Sequence, residues 1–221
     1  MPSILRIMLV DDHPIVRYGF ARLLSAEPDL VVCAEAVDAR AAIDELASHP
    51  DVVVVDISLG STSGIDLIRE LKARQPELRV LVVSMHDELL YAERALRAGA
   101  SGYVMKHEAT NQIVRAIRAV ASGGMFVSEA VSTRLVQRAV AGDHAPEASL
   151  LGALTDRELH VLQLLGRGFS TREIAEQLHV SIKTIESYRA RLKDKMKLRS
   201  GTELVRFAVR WAEDQEPGRV R

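Results

Sequence analysis

The sequence predicts an α/β fold, a doubly wound five-stranded parallel sheet, followed by a small all-α unit of four helices. Three observations lead there. Short apolar runs alternate five times with segments of helical periodicity up to about residue 123. A stretch with no sustained period comes next, and from about residue 154 the pattern is helical to the end.

The strand-like runs are ILRIMLV before Asp11-Asp12, LVVCAEA around Cys33, DVVVVD closing on Asp56, RVLVVS closing on Ser84 and SGYVMK closing on Lys106. Runs so rich in Val, Ile and Leu suit strands buried on both faces between helices. After the first run, Val16, Phe20, Leu23 and Leu24 recur at helical spacing, as do Ile65, Leu67, Ile68 and Leu71 after the third. In the flavodoxin-like order 2-1-3-4-5 the first and third strands are neighbours, which brings Asp11-Asp12 next to Asp56. Gly123-Gly124 ends the fifth helix, and a short helix follows with Val131, Leu135 and Val136 as its apolar stripe. The segment AGDHAPEASLLGA, residues 141–153, reads as an interdomain tether.

In the second unit, Thr155-x-x-Glu158 and Ser170-x-x-Glu173 are capping boxes that mark two helix starts. The first helix runs through Leu159, Leu162 and Leu165 to Gly166, and the second is TREIAEQL. A third begins near Ser181 with Ile182, Ile185, Leu192 and Met196 on its inner side, and a fourth spans about Thr202 to Trp211 with Leu204, Val205, Ala208 and Trp211. About three residues separate the second helix from the third, a spacing that fits the turn of a helix-turn-helix. The expected division is 1–123 for the sheet domain, 124–153 for a linker helix and tether, and 154–213 for the helical domain.

Composition narrows the class. With 48% apolar and 27% charged residues the chain is an ordinary globular sequence, and its apolar stretches are strand-sized, far short of the roughly 20 residues of a membrane span. Met1-Pro2-Ser3 leads straight into the first strand without a secretory signal, and the lone Cys33 is expected as a small buried residue; both point to the cytoplasm. The net charge of -1 hides an asymmetry: residues 1–149 hold 15 Lys+Arg against 20 Asp+Glu, and residues 150–221 hold 14 against 10. The basic half invites a nucleic-acid partner.

All carboxyl ends of a parallel sheet lie on one edge, so Asp11, Asp12, Asp56, Ser84 and Lys106 converge in one crevice. A carboxylate can attack a phosphoryl donor and form an acyl phosphate. Clustered carboxylates repel each other and the incoming anion, which calls for a hard, oxygen-preferring cation such as Mg²⁺. Asp11 and Asp12 are then metal ligands, Asp56 is ligand and nucleophile, and the Ser58 backbone carbonyl is a further ligand. Lys106 offers positive charge, and Ser84 a hydroxyl, to the phosphoryl oxygens. Taken singly each residue has a plainer reading, as helix cap, loop acid, turn residue or solvated charge; the ordered set outweighs them. The histidines, His13 and His86 included, make no metal-ligand spacing and are expected to stand apart from the chemistry.

With these residues in place, 4 to about 123 resembles the receiver domain of response regulators. The resemblance implies that Asp11 and Asp12 bind Mg²⁺, that Asp56 takes phosphate from a sensor histidine kinase, and that Ser84 and Lys106 are the switch hydroxyl and phosphate-binding lysine. It implies too that Tyr103 is the aromatic switch, following inward after Ser84 moves toward the phosphoryl group. Two departures stand out: Gly60 and Ser61-Thr62-Ser63 replace a loop where proline is common, and His107 replaces the proline that often follows the lysine. Altered loop rigidity is expected, with phosphorylation retained.

Residues 181–199, SIKTIESYRARLKDKMKLR, hold seven Lys+Arg and two acids, a pattern that suits phosphate contacts on double-stranded DNA. From Leu154 to about Val209 the sequence resembles the four-helix DNA-binding domain of the NarL/FixJ and LuxR families. The match implies a third helix in the major groove, with Lys183, Thr184, Tyr188, Arg189 and Arg191 for backbone or mixed contacts and Glu186, Ser187 and Ala190 facing base edges. The fourth helix then resembles a dimerisation helix, and a homodimer formed on phosphorylation would meet promoter DNA and RNA polymerase. The expected function is a two-component transcription regulator, not an enzyme, with no membrane partner. One rival is a DNA-binding regulator whose receiver is silent. Another is a phosphatase of the haloacid-dehalogenase type, which needs two aspartates separated by one residue where this chain has Asp11-Asp12-His13-Pro14.

Overall fold

Strand β1 (Leu5–Val10) is the centre around which the first half of the chain is laid down. It pairs in parallel with β2 (Leu30–Ala36) on one side and β3 (Val52–Val55) on the other, and β6 (Arg79–Ser84) and β7 (Gly102–Met105) extend the sheet beyond β3. The order β2-β1-β3-β6-β7 is the one predicted, with an additional two-stranded hairpin, β4 (Ser58–Leu59) and β5 (Thr62–Ser63), after β3. The computed structural model describes residues 4–60, 62–141 and 151–215. The chain divides into two units, Met1–Gly142 and Asp143–Arg221.

All four valines of β3 are buried, because helices cover both faces and β-branched side chains pack well on a pleated surface. These helices are α1 (Pro14–Leu24), α2 (Ala39–Asp44, continued by a 3₁₀ turn at Glu45–Ser48), α3 (Gly64–Arg74), α4 (Glu88–Arg97) and α5 (Lys106–Ala121). The predicted stripe of α3 is inside in full: Ile65, Leu67, Ile68 and Leu71 are all buried. Edge strand β2 behaves differently. Cys33 is only partly buried, contrary to expectation, as are its neighbours on both faces of this edge strand; its Sγ donates to the Ile7 carbonyl at 3.4 Å.

Past α5 the chain returns to the sheet. The Tyr103 N–H donates to the Phe126 carbonyl at 2.8 Å and the Phe126 N–H to the Ser101 carbonyl at 3.1 Å, a one-residue parallel bridge beside β7. Helix α6 (Glu129–Ala141) then docks on α4, with Ser128 Oγ on Glu88 Oε1 at 2.7 Å and Arg138 paired with Glu93. Val131 is buried and Leu135 partly so, but Val136 is 60% exposed. The stripe is therefore Val131, Leu135 and Arg138, the i, i+4, i+7 face toward one neighbour, and Val136 points away from it. Residues 142–150 of the expected tether lie outside the described residues.

In the second unit, α7 (Asp156–Gly166), α8 (Thr171–Gln177), α9 (Ile182–Lys195) and α10 (Gly201–Gln215) pack around Leu162, Leu165, Ile174, Ile185, Leu192, Leu204, Ala208 and Trp211. Both capping boxes form: the Thr155 N–H donates to Glu158 Oε2 at 2.8 Å, and the Ser170 N–H to Glu173 Oε2 at 2.7 Å. Ile182 is 48% exposed instead of inside, because it opens α9 where the helix has just left its neighbours. No helix among the described residues is long and apolar enough to cross a membrane.

Candidate functional site

Adjacency of β1 and β3 fixes the acids. Val10 pairs with Val55, and the Asp56 N–H donates to the Val10 carbonyl at 2.9 Å, so Asp11 and Asp56 leave the sheet side by side. Both carboxylates are buried, each 4% exposed as a residue. Lys106, the first residue of α5, reaches back between them: its Nζ lies 2.7 Å from Asp11 Oδ2 and 2.7 Å from Asp56 Oδ2. Burial pushes the Asp56 carboxyl above its ordinary range, against the pull of Lys106. The Lys106 ammonium resists its own burial because Asp56 and Asp11 hold it above its ordinary value.

Two glycines shape the rim. A side chain at Gly64 would put its Cβ 2.0 Å from the Asp56 carbonyl oxygen, so only glycine lets α3 start this close to the Asp56 backbone. Its N–H donates to the Ile57 carbonyl at 2.7 Å. Gly60 holds φ at +53° and its N–H donates to Asp12 Oδ2 at 2.8 Å, orienting the second acid. The loop without proline is thus held by the β4–β5 hairpin and this bond.

One oxygen each of Asp11, Asp12 and Asp56, together with a ring nitrogen of His13, lie within 4.8 Å of one another. Asp56 Oδ1 is buried and makes no hydrogen bond, and Asp12 Oδ1, also buried, has only the ring nitrogen of His13 close by, at 2.7 Å. Unpartnered buried carboxylate oxygens are costly, and a hard cation relieves the cost, so the donor set fits Mg²⁺. Three carboxylates against one ammonium leave two negative charges, which a divalent ion would balance.

Ser84 ends β6 next to β3 and is fully buried. Tyr103 lies on β7, also buried, and its hydroxyl donates to the His86 carbonyl at 2.7 Å. The aromatic is inward in this structure, with burial holding its phenol well above the ordinary value and so protonated. Three contributors escaped the sequence reading. His13 Nδ1 sits 2.7 Å from Asp12 Oδ1 and 3.3 Å from Asp11 Oδ1. Arg17 Nη1 donates to the Asp11 carbonyl at 2.6 Å, and its Nε reaches Glu35 of β2 at 3.2 Å. His86 Nε2 lies 2.8 Å from Ser58 Oγ. His13 and His86 thus lie against the site: position directly after the acid pair signalled His13, and helical spacing into α1 signalled Arg17. Nothing local signals His86, whose partner is 28 residues away.

In the second unit, Lys183, Glu186, Ser187, Ala190 and Arg191 are all exposed and recur at i, i+3, i+4, i+7 and i+8, one open face of α9. Tyr188 is partly buried with the Arg191 guanidinium 6.0 Å from its ring centroid. Thr184 and Arg189 are tied within the unit, Thr184 Oγ1 at 2.8 Å from Ser181 Oγ and Arg189 Nη1 donating to Thr171 Oγ1 at 2.7 Å. Lys195 locks the far end of α9 onto the first capping box, 2.7 Å from Glu158 Oε2. With Thr155 it keeps the Glu158 carboxyl below its usual range although burial acts the other way.

A buried acid pair, a third acid and a lysine at the carboxyl edge of a five-stranded parallel sheet, joined to a capped helix-turn-helix, define a phosphoacceptor module coupled to a DNA-reading module. Comparison with known proteins agrees. Residues 7–118 match the response regulator receiver domain, and residues 152–208 match the luxR family of bacterial regulatory proteins. The chain is 34% identical over 211 residues to the oxygen regulatory protein NreC of Staphylococcus haemolyticus, covering 93% of this chain and 97% of that one. It is 33% identical over 215 residues to the transcriptional regulatory protein DegU of Brevibacillus brevis, covering 91% of each. Among solved structures, the RcsB response regulator of Salmonella typhimurium superposes with a TM-score of 0.55 at 29% identity, over 94% of this chain and 98% of that one. A LuxR-family response regulator from Aurantimonas gives 0.58 at 39%, over 62% of this chain and 99% of that one. The chain belongs to the NarL/FixJ-type two-component response regulators, which act as transcription factors.

Proposed function

We propose that Asp56 is the phosphoacceptor, that Asp11, Asp12, Asp56 and the Ser58 backbone carbonyl hold Mg²⁺, and that the open face of α9 reads promoter DNA. The observation that carries the first part is the division of labour at Asp56. Its Oδ2 is committed to Lys106 at 2.7 Å, while its Oδ1 is buried and makes no hydrogen bond, which leaves it the oxygen available for attack. Bound Mg²⁺ would supply charge neutralisation for the transferring phosphoryl oxygens.

The chain's own residues do the rest. An Asp56 carboxylate oxygen attacks the phosphorus of a phosphohistidine on a sensor kinase, the P–N bond breaks, and the imidazole leaves with its electron pair. Lys106 stays charged and turns from a carboxylate partner into a partner of the new phosphoryl oxygens. Ser84 donates its hydroxyl to another of those oxygens. In the second unit, Lys183, Tyr188, Arg189 and Arg191 contact the DNA backbone or make mixed contacts, with Thr184 at the helix start. Glu186, Ser187 and Ala190 face base edges: Glu186 accepts from cytosine and Ala190 offers only apolar contact. DNA-bound structures of RcsB are known, including one of two dimers on two DNAs, and they support a dimeric, promoter-bound form for this chain as well.

We assign residues 1–123 to the receiver, 124–153 to the linker helix and tether, and 154–213 to the DNA-binding domain. The protein acts in the cytoplasm as a regulator, not an enzyme, with RNA polymerase as its downstream partner. The test is acyl-phosphate formation with acetyl phosphate, with and without Mg²⁺, on wild type and Asp56→Asn, followed by promoter-DNA binding of both. Mg²⁺-dependent labelling lost in Asp56→Asn, with tighter DNA binding of the labelled form, is expected. Absence of labelling, or equal DNA affinity with and without it, refutes the proposal.

A further inference from the structure

One residue outside the acid cluster meets Ser84, Tyr103 and Ser58 at once. His86 lies in the turn Ser84–Asp87 between β6 and α4. Its N–H donates to Ser84 Oγ at 3.3 Å, and its carbonyl accepts from the Tyr103 hydroxyl at 2.7 Å. Its ring nitrogen Nε2 meets Ser58 Oγ at 2.8 Å, two residues past Asp56. Its ring also packs 4.5 Å, centroid to centroid, from that of Tyr91, which is fully buried in α4. Met85, just before it, is 68% exposed and gives the turn no apolar anchor.

We propose that His86 is a positioning residue whose imidazole, bonded to Ser58, clasps the β6–α4 turn to the Asp56 loop and so presets Ser84 and Tyr103 for the phosphoryl group. The reasoning is geometric. The Tyr103 phenol can reach the turn only if the His86 carbonyl stays where it is; Asp87 ties the turn to α4, its Oδ1 accepting from the Leu89 N–H at 2.8 Å, while the exposed Met85 gives it no anchor on the other side. The Ser58 hydroxyl supplies a point at the start of β4, two residues past Asp56, so the turn and the acid's loop move as one piece. The inference rests on the assignment of Asp56 as phosphoacceptor for its purpose, though not for its geometry.

The alternative is that the His86 ring only fills space against Tyr91. His86→Phe separates the two, since it keeps an aromatic on Tyr91 and loses the bond to Ser58; Ser58→Ala removes the same bond from the other side. The unphosphorylated protein would be labelled with 3-fluorotyrosine, and the Tyr103 resonance identified by its loss in Tyr103→Phe. Both variants are expected to shift Tyr103 about fivefold toward an outward, solvent-exposed population, the yield of one neutral hydrogen bond. The double variant should go no further than either single one. A parallel loss in the rate of Asp56 labelling by acetyl phosphate is expected. An unmoved Tyr103 resonance in Ser58→Ala and His86→Phe overturns the proposal, as does additivity in the double variant. If His86→Phe fails to fold, judged by circular dichroism, Ser58→Ala alone decides. Failure of Asp56 to accept phosphate in wild type would sink the phosphoacceptor assignment and leave the Tyr103 result standing.

Discussion

Replacing Lys106 by Met tests the electrostatic logic of the site most directly. The Lys106 side chain is 8% exposed and bridges Asp11 and Asp56, themselves 6% and 4% exposed as side chains. Removing one partner of a buried ion pair costs about 3–5 kcal/mol, because the remaining charge is left uncompensated. Here the loss should fall near the lower end, about 3 kcal/mol, since Asp56 can take up a proton; its carboxyl is raised by burial even with Lys106 present. The sign follows. A carboxyl whose folded pKa lies above its unfolded value binds the proton better in the folded state, so stability is lost as pH rises through that window. The deficit of Lys106→Met should therefore be larger at pH 7.5 than at pH 5. With an m-value of about 1.5–2 kcal/mol/M, the urea midpoint of the first unit moves down by about 1.5–2 M. Mg²⁺ at a hundredfold the wild-type Kd returns about 2.7 kcal/mol to wild type, and the same concentration returns more to the variant, whose cluster carries one negative charge more. Far-UV circular dichroism follows both units, while the single Trp211 belongs to the second and serves as an internal control. Equal midpoints in metal-free buffer, or an equal response to Mg²⁺, would refute the reasoning.

Three other outcomes can be checked. Gly64→Ala forces its Cβ to 2.0 Å from the Asp56 carbonyl oxygen and should cost at least about 1–3 kcal/mol, typical of overpacking, while slowing Asp56 labelling, read by urea titration and acetyl phosphate kinetics. Burial, aided by the charges of Arg157 and Arg167, brings the His160 imidazole from 6.5 down to about 4, so the unfolded chain takes up a proton in that interval and the folded chain does not. Stability of the second unit should fall as pH drops from 6.5 to 4 by on the order of 2 kcal/mol, and His160→Gln should flatten that limb in Trp211-monitored unfolding. Arg191→Ala should weaken promoter binding across sequences alike and reduce the slope of log K against log salt by about 0.9, measured by fluorescence anisotropy at several salt concentrations.

Much of this architecture was legible from the chain because it rests on local, repetitive signals. Four consecutive valines before Asp56 can only be a strand buried on both faces, and Thr155-x-x-Glu158 and Ser170-x-x-Glu173 each satisfy two backbone groups that otherwise lack partners at a helix start. The convergence of Asp11, Asp12, Asp56 and Lys106 followed from strand order alone. What remained hidden depends on which neighbour a residue meets. Val136 and Ile182 fit an apolar period but face solvent, because α6 packs on a single helix and α9 begins clear of its neighbours. His86 and Ser58, 28 residues apart, meet through two loops, a pairing no periodicity encodes. Arg17 gave only weak notice, since its partner is a backbone carbonyl, invisible in a pattern of side chains.

The inward position of Tyr103 changes what phosphorylation has left to do. A two-state element taken from 1:99 to 99:1 requires about 5.5 kcal/mol of differential binding. An outward aromatic would have to draw that from the phosphoryl group's contacts with Ser84 and Lys106. In this chain the phenol is already bonded to the His86 carbonyl at 2.7 Å and the Tyr103 N–H to Phe126 at 2.8 Å. Acylation of Asp56 is expected to find the ring already rotated, so that the energy of the new contacts goes to tightening the Ser84–Asp87 turn and the helix α4 it feeds. That helix carries Glu88 and Glu93, the anchors of α6, so tightening it acts on the segment leading out of the first unit. A fluorotyrosine label at Tyr103 should then change little when Asp56 is acylated, while amide hydrogen exchange in α4 and α6 slows by several-fold. A large Tyr103 shift with unchanged exchange in both helices would mean that the ring, and not the helix pair, carries the signal.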